Sequence, residues 1–275
     1  MSTAARQSSP KDWVKALWAT GDWAEIAKTL DGASEQLVDF VEVGEGARVL
    51  EVAAGNGNAA VWAARRGAKV TATDICPEMI AKGRERTEQA GLKVEWKEAD
   101  FEELPFEDGI FDRVLSAFGV IFATRPNLVI SEVFRVTKPG GVVALVNWTP
   151  DGWPAQVGAI MGKYLNGGSR GPRGLDWGVE QDLSQMLDPH AFEVRFRRGA
   201  VWTHSDSAES WWKHWDQNSP MMIAARNKLP ATQYQCLSQE LIESVKQAST
   251  GAGPLASWKS DYLMVTARKN PVAAA

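Results

Sequence analysis

Apolar residues occur in two patterns along this chain. From residue 48 to residue 147, short runs of apolar residues, some unbroken and some alternating with polar ones, are separated by segments in which apolar positions recur every third or fourth residue. The runs at 48–53, 69–73, 94–98, 111–118 and 142–147 read as strands, each bounded by glycine, proline or polar turn residues. The segments at 58–66, 77–89 and 127–136 carry helical spacing. Pro77 opens the second of these, where its missing N–H costs little. Strands and helices joined by short connections predict an α/β fold with a doubly wound, mostly parallel sheet in the first half of the chain.

The flanks read differently. Residues 1–10 are small and polar and predict disorder. Residues 11–29 predict one or two short amphipathic helices interrupted near Gly21, and 34–43 a further helix. Beyond Trp148 the chain is rich in glycine and aromatic residues up to 176, with a short helix at 155–164. Helices follow at 179–187, 208–215, 220–225 and 233–247, broken by glycines at 251–253. Two late strands are predicted at 192–203 and 261–267. This divides the chain into N-terminal helices that close over a ligand (1–45), a ligand-binding core (46–148), and a substrate-side helical lid whose strands complete the sheet (149–275).

The first strand runs into Gly55-Asn56-Gly57, and the second ends on Asp74 about twenty residues later. A glycine turn between strand and helix, answered by an acid at the tip of the next strand, is how α/β proteins hold a ribonucleoside. The glycines let the backbone turn tightly and approach a ligand, and the acid accepts hydrogen bonds from ribose hydroxyls. Glu51, within the first strand, is unfavourable beside a pyrophosphate and favourable beside an ammonium group. The amides opening the helix at 58–66 point back toward the glycine turn and favour an anionic carboxylate there.

Composition narrows the class. A net charge of -4 argues against a general nucleic-acid or membrane-surface binder. Two cysteines, Cys76 and Cys236, provide neither a disulfide framework nor a cysteine-rich metal site. The chain begins without an apolar signal core and contains no run of eighteen apolar residues, which predicts a cytoplasmic protein, monomeric or homodimeric, with no membrane insertion and no metal. Of thirteen tryptophans, eight lie from Trp148 onward. They read as packing for a helical appendage or as the wall of an aromatic pocket.

These motifs together resemble the class I S-adenosylmethionine-dependent methyltransferases, in particular the small-molecule branch near the ubiquinone and menaquinone biosynthesis enzymes. Glu51-Val52-Ala53-Ala54-Gly55-Asn56-Gly57 is similar to the family's first motif, with Ala53 in place of its first glycine. Asp74-Ile75 resembles the ribose acid and its adenine-stacking neighbour. Asp100-Phe101 resembles the pair that meets the adenine edge, and Ser116-Ala117-Phe118-Gly119 the segment beneath the sulfonium. Arg135 to Gly141 resembles the turn before the fifth strand. The resemblance implies a Rossmann-like sheet of seven strands with the last one antiparallel, and S-adenosyl-L-methionine as cofactor. It makes Glu51, Ala53, Gly55, Gly57, Asp74, Ile75, Asp100, Phe101, Ser116 and Phe118 the candidate cofactor residues. Trp18 or Lys15 is expected near the cofactor's amino-acid end.

The implied reaction is in-line methyl transfer to a small, aromatic or apolar metabolite. Any base needed to deprotonate the acceptor is sought among His190, His204 and His214, all in the second half of the chain. His214, within Trp211-Trp212-Lys213-His214-Trp215, is the leading catalytic candidate. The competing readings are a nicotinamide-dependent oxidoreductase, built on the same glycine turn and acid, and a non-catalytic regulatory protein that retains the cofactor fold. The acceptor, and whether its oxygen, nitrogen, sulfur or carbon is methylated, is not written in the residues.

Overall fold

The computed structural model describes residues 10–165, 176–250 and 255–271. The predicted polar opening, most of the glycine-rich loop and the late glycine break lie outside the described residues. Helices α1 (Pro10–Trp18), α2 (Trp23–Ala27) and α3 (Asp31–Phe40) precede the sheet. Then come β1 (Arg48–Glu51), α4 (Asn58–Arg65), β2 (Lys69–Asp74), α5 (Pro77–Gln89), β3 (Val94–Glu98), β4 (Phe111–Ala117), α6 (Pro126–Val136) and β5 (Thr137–Trp148). The remainder is α7 (Trp153–Leu165), α8 (Glu180–Leu187), β6 (Ala191–Ser205), α9 (Ala208–Asn218), α10 (Pro220–Lys228), α11 (Ala231–Ala248) and β7 (Ala256–Lys269).

The strands form one seven-stranded sheet in the order β3-β2-β1-β4-β5-β7-β6. The first five run parallel, β7 lies antiparallel to β5, and β6 is antiparallel to β7. The last strand in sequence is therefore an interior strand. That position explains its composition: Tyr262, Leu263, Met264, Val265 and Ala267 are all buried, because both sheet faces are covered there. Sequence periodicity underestimates β7 and β5. Residues 256–260 alternate in burial and pair with the distal end of β6 (Ser205↔Ala256 to Val201↔Ser260). Thr137 pairs with Phe111 across an irregular register, so β5 begins inside what reads as a proline-glycine turn.

Alternate residues of β1, β4 and β5 feed two cores, while β2 and β3 feed only the first. Val49, Val70, Ala72 and Leu115 face α3 and α4, where Ala59, Ala60 and Ala63 allow the helix to lie close to the sheet. Leu50, Val52, Val114 and Leu145 face α6 and α8. A third cluster joins α7, α9, α10 and α11 to the start of β7. Its centre is Trp211, which meets Trp153 at 5.3 Å and Trp258 at 5.7 Å, both edge to face. Edge-to-face pairing satisfies the ring quadrupoles and packs large rings without voids. Trp177, Trp211 and Trp258 are thus core residues, and Trp153, Trp212 and Trp215 pack partly buried against the third cluster.

Gly83 of α5 marks the tightest helix-to-sheet approach. A Cβ there would lie 2.1 Å from the Trp96 ring of β3. Gly83→Ala is expected to lower stability by about 1–3 kcal/mol through overpacking, read as a lower denaturation midpoint with an unchanged urea m-value.

Candidate active site

Between β1 and β4 the strand order changes direction, since β1 connects outward to β2 and β4 to β5. Open α/β sheets bind ligands at such a point, outside the carboxyl ends of the strands. The cleft found here lies there. Its floor comes from the tips of β1 (Ala53, Ala54, Gly55) and β4 (Ala117, Phe118, Gly119), one side from Asp74, Ile75, Asp100 and Phe101, and its roof from α1, α2 and the segment after β4.

Glu51 is 1 % exposed and sits at the inner end of the cleft. Its carboxylate accepts from the amides of Ala59 at 3.2 Å and Ala60 at 2.6 Å. These are donors of the first turn of α4, left unpaired by the helix geometry. The acceptor for these amides is thus supplied by the protein itself, from the neighbouring strand. Burial pushes the Glu51 carboxyl up to about 8, against the opposing pull of the two amides and of Arg86.

Asp74 occupies the tip of β2. One of its oxygens accepts from Gly55 N at 2.8 Å and the other from Cys76 N at 2.9 Å. The acid therefore locks the glycine turn to the second strand while still facing the cleft. Burial raises its carboxyl above the usual range, although the amides of Cys76, Gly55 and Ile75 work against this. Gly55 (φ +56) needs the left-handed conformation and presents an open backbone, its nearest neighbour on that side being Trp23 at 4.0 Å. Gly57 (φ +80) has a different role. It caps α4, and a Cβ there would lie 2.7 Å from Trp96, so it secures packing and does not line the cleft.

Ser116 is likewise behind the cleft: fully buried, its hydroxyl donates to Val52 O at 3.1 Å and fixes the end of β1. Asp100 faces the cleft, accepts from Glu102 N at 2.8 Å and pairs with Lys11 of α1. Lys15 does not reach the amino-acid end; its ammonium is held by Glu98 at 2.5 Å, at the end of β3.

Several cleft residues escape sequence reasoning. Trp23 and Phe122 join Trp18 in an edge-to-face trio, with centroids 5.1 Å and 5.0 Å from Trp18. Their amphipathic context signals only packing. Glu102, within a stretch that reads as an acidic loop, is 4 % exposed. It accepts from the Thr124 amide and hydroxyl (2.9 and 2.7 Å), the Arg125 amide (2.9 Å) and Arg125 Nε (2.8 Å). Those donors outweigh burial and hold its carboxyl below the usual range. Glu102 thereby pins the wall carrying Phe122 to the loop carrying Asp100 and Phe101. A buried acid serving a long-range pair has no local sequence signature.

The histidines lie elsewhere. Ala208 and Trp211 set the buried face of α9, which leaves His214 exposed on its flank, with Asn218 Nδ2 2.8 Å from its carbonyl oxygen and 3.3 Å from Nδ1. The expectation that His214 serves as the base is corrected on that ground. His204 is exposed beside Ser257 at 2.9 Å, and His190 stacks on Phe134 at 5.1 Å. None of the three lines the cleft.

Comparison with known proteins agrees with this geometry. Residues 50–145 match the methyltransferase domain family. The chain is 38% identical over 166 residues to the demethylmenaquinone methyltransferase of Thermus thermophilus, covering 54% of this chain and 76% of that one. The chain belongs to the class I S-adenosylmethionine-dependent methyltransferases. An uncharacterised protein of Mycobacterium tuberculosis is 32% identical over 263 residues, 93% of each chain. Phosphoethanolamine N-methyltransferase 2 of Haemonchus contortus, solved with S-adenosylhomocysteine, shares the fold (TM-score 0.54, 17% identity, 85% of this chain and 51% of that one). The match to this family decides against the nicotinamide alternative. No helix among the described residues of this methyltransferase is long and apolar enough to cross a membrane.

The displaced Glu51 carboxyl has a thermodynamic consequence. Between its ordinary 4.5 and about 8, the folded methyltransferase keeps a proton that the unfolded chain has lost. Stability from this group is therefore full at acid pH and falls as pH rises through 8. Without cofactor, wild type should lose a few kcal/mol, about 2–5, relative to Glu51→Gln over that window. Urea titrations of both proteins at several pH values measure the difference.

Proposed function

We propose that this methyltransferase holds S-adenosylmethionine along the cleft with its ribose at Asp74 and its ammonium at Glu51, and methylates a small aromatic or apolar acceptor under the Trp18 roof. The observation that carries the reading is the pair of buried carboxylates flanking one glycine turn. Both Asp74 oxygens accept from backbone amides and still face the cleft, and a carboxylate's remaining lone pairs leave acceptor capacity for the ribose hydroxyls. Glu51 takes two amides and has no ion-pair partner among the described residues, so a ligand ammonium supplies the countercharge that burial withholds.

The rest of the donor set fits the same molecule. Asp100 suits the adenine amino group, Ile75 and Phe101 its faces, and Trp18 with Phe118 the more apolar middle of the cleft. When bound, the cofactor supplies an electrophilic methyl group on a sulfonium whose departure leaves a neutral thioether. The protein's contribution is to fix donor and acceptor in line and to exclude water, which is worth several kcal/mol when the approach is close to reactive geometry. Glu51 and Asp74 fix one end through hydrogen bonds to rigid strand tips. Trp18, Trp23 and Phe122 offer flat apolar surface to the acceptor. No base is assigned, and the acceptor provides its own nucleophile.

Two expected outcomes follow from these roles. Asp74→Ala leaves ribose hydroxyls and the Gly55 amide unpaired and should weaken S-adenosylhomocysteine binding by about 1–3 kcal/mol, measured by calorimetry. An unchanged dissociation constant would contradict the placement. With methyl-labelled cofactor and a fractionated metabolite pool, label should enter the aromatic, apolar fraction, and Trp18→Ala should raise KM for the labelled acceptor about tenfold with cofactor affinity changed less. Label confined to small polar amines would overturn the acceptor class.

A further inference from the structure

The two strand tips that floor the cleft meet at Ala53 and Gly119, and the residues at these positions are the reverse of what the backbone alone prefers. Ala53 has φ +48, the left-handed region that favours glycine. Gly119 has φ -89 and ψ -38, which any residue adopts. Among the described residues, three non-glycines have positive φ, and two of them, Ala53 and Phe118, are in this floor.

The strained conformation is held from both sides. Val52 N donates to Leu115 O and Ala54 N to Thr73 O, both at 2.9 Å, so each neighbour of Ala53 is tied into the sheet. Ser116 holds the Val52 carbonyl from the other strand. Phe118 N donates to Val146 O at 2.9 Å, and its ring stacks on Trp148 at 4.1 Å. A conformation fixed so firmly persists at a ligand site when it places something the site needs. What it places is one methyl group. A Cβ on Gly119 would lie 2.5 Å from Ala53 Cβ, 2.7 Å from Ala53 O and 3.3 Å from Ser116 Oγ, so the junction of the two strand tips has room for the Ala53 methyl alone.

The position of that methyl along the ligand follows from the chemistry of the cofactor. Its sulfur lies between the ribose and the amino-acid chain. With Asp74 at one and Glu51 at the other, the sulfur passes over the tips of β1 and β4, where Ala53 and Gly119 touch. We infer that the Ala53 methyl is a specificity-determining group: it sets the height of the floor at the sulfur and limits the transferable group to methyl. This rests on the cofactor placement proposed above.

The test compares binding of S-adenosylmethionine and its S-ethyl analogue, by calorimetry, to wild type, Ala53→Gly and Gly119→Ala. Wild type is expected to prefer the S-methyl compound by about tenfold or more. Ala53→Gly should cut that preference at least threefold while the Tm stays level or rises by about 2–4 °C, because glycine relieves the left-handed strain. Gly119→Ala, which crowds the same spot, should lose affinity for both compounds about tenfold or more. A preference unchanged in Ala53→Gly, or a Tm drop with parallel loss of both ligands, overturns the inference and leaves Ala53 a packing residue. Failure of Asp74→Ala to weaken S-adenosylhomocysteine would instead refute the cofactor placement, so the two failures are separable.

Discussion

The buried contact between Glu51 and the first turn of α4 is the constraint on which the site depends. A carboxylate at 1 % exposure is costly without donors, and helix α4 begins with amides that have no partner of their own. Joining the two solves both problems and fixes the angle between β1 and α4. The glycine turn is what remains of the chain between them, so its shape is dictated at both ends. Asp74 then ties the turn to β2 through the Gly55 amide. The cleft is rigid on this side because each polar atom that shapes it is also a structural bond.

The opposite side is assembled from distant pieces. The roof belongs to α1 and α2, and α2 is anchored to the late helices through Asp22 N and Asn218 O at 2.9 Å. Gly21 packs directly against that same Asn218 carbonyl, since a Cβ there would lie 2.4 Å away. Below, Asn58 Nδ2 donates to Ala27 O at 2.9 Å, while Arg86 binds Asn58 and pairs with Asp31 at 2.8 Å. The late helices therefore shape the acceptor side indirectly, by holding the segment that carries Trp18 and Trp23. They bury their own tryptophans against one another.

Local chemistry also decides which acids serve structure and which serve the ligand. Glu102 is saturated by the Thr124 and Arg125 donors of one neighbouring segment and is an ion in the folded state. Glu51 has two amides and deep burial, and the balance tips toward its neutral form. Burial raises the Asp74 carboxyl as well, against the amides that bind it. Three carboxylates within one cleft thus acquire different duties from donor count and exposure.

Much of this was legible in the residues. Apolar positions separated by helical spacing determine β1 to β4 and their helices to within a residue or two, because each strand carries apolar residues at buried positions; β5 starts earlier than its apolar run, at Thr137. Glu51, Gly55, Asp74, Asp100 and Phe101 also announce themselves, since a strand tip and the turn beyond it are local and their spacing carries the chemistry. What lies far apart in sequence was decided only by tertiary structure. The interior place of β7, the roof of Trp18, Trp23 and Phe122, and the duty of Glu102 all depend on contacts across tens of residues. His214 shows the converse: an aromatic, titratable neighbourhood promised chemistry, and the burial of Trp211 turned that side chain out to solvent. Periodicity says which face of a helix is buried, but only packing says what that face is buried against.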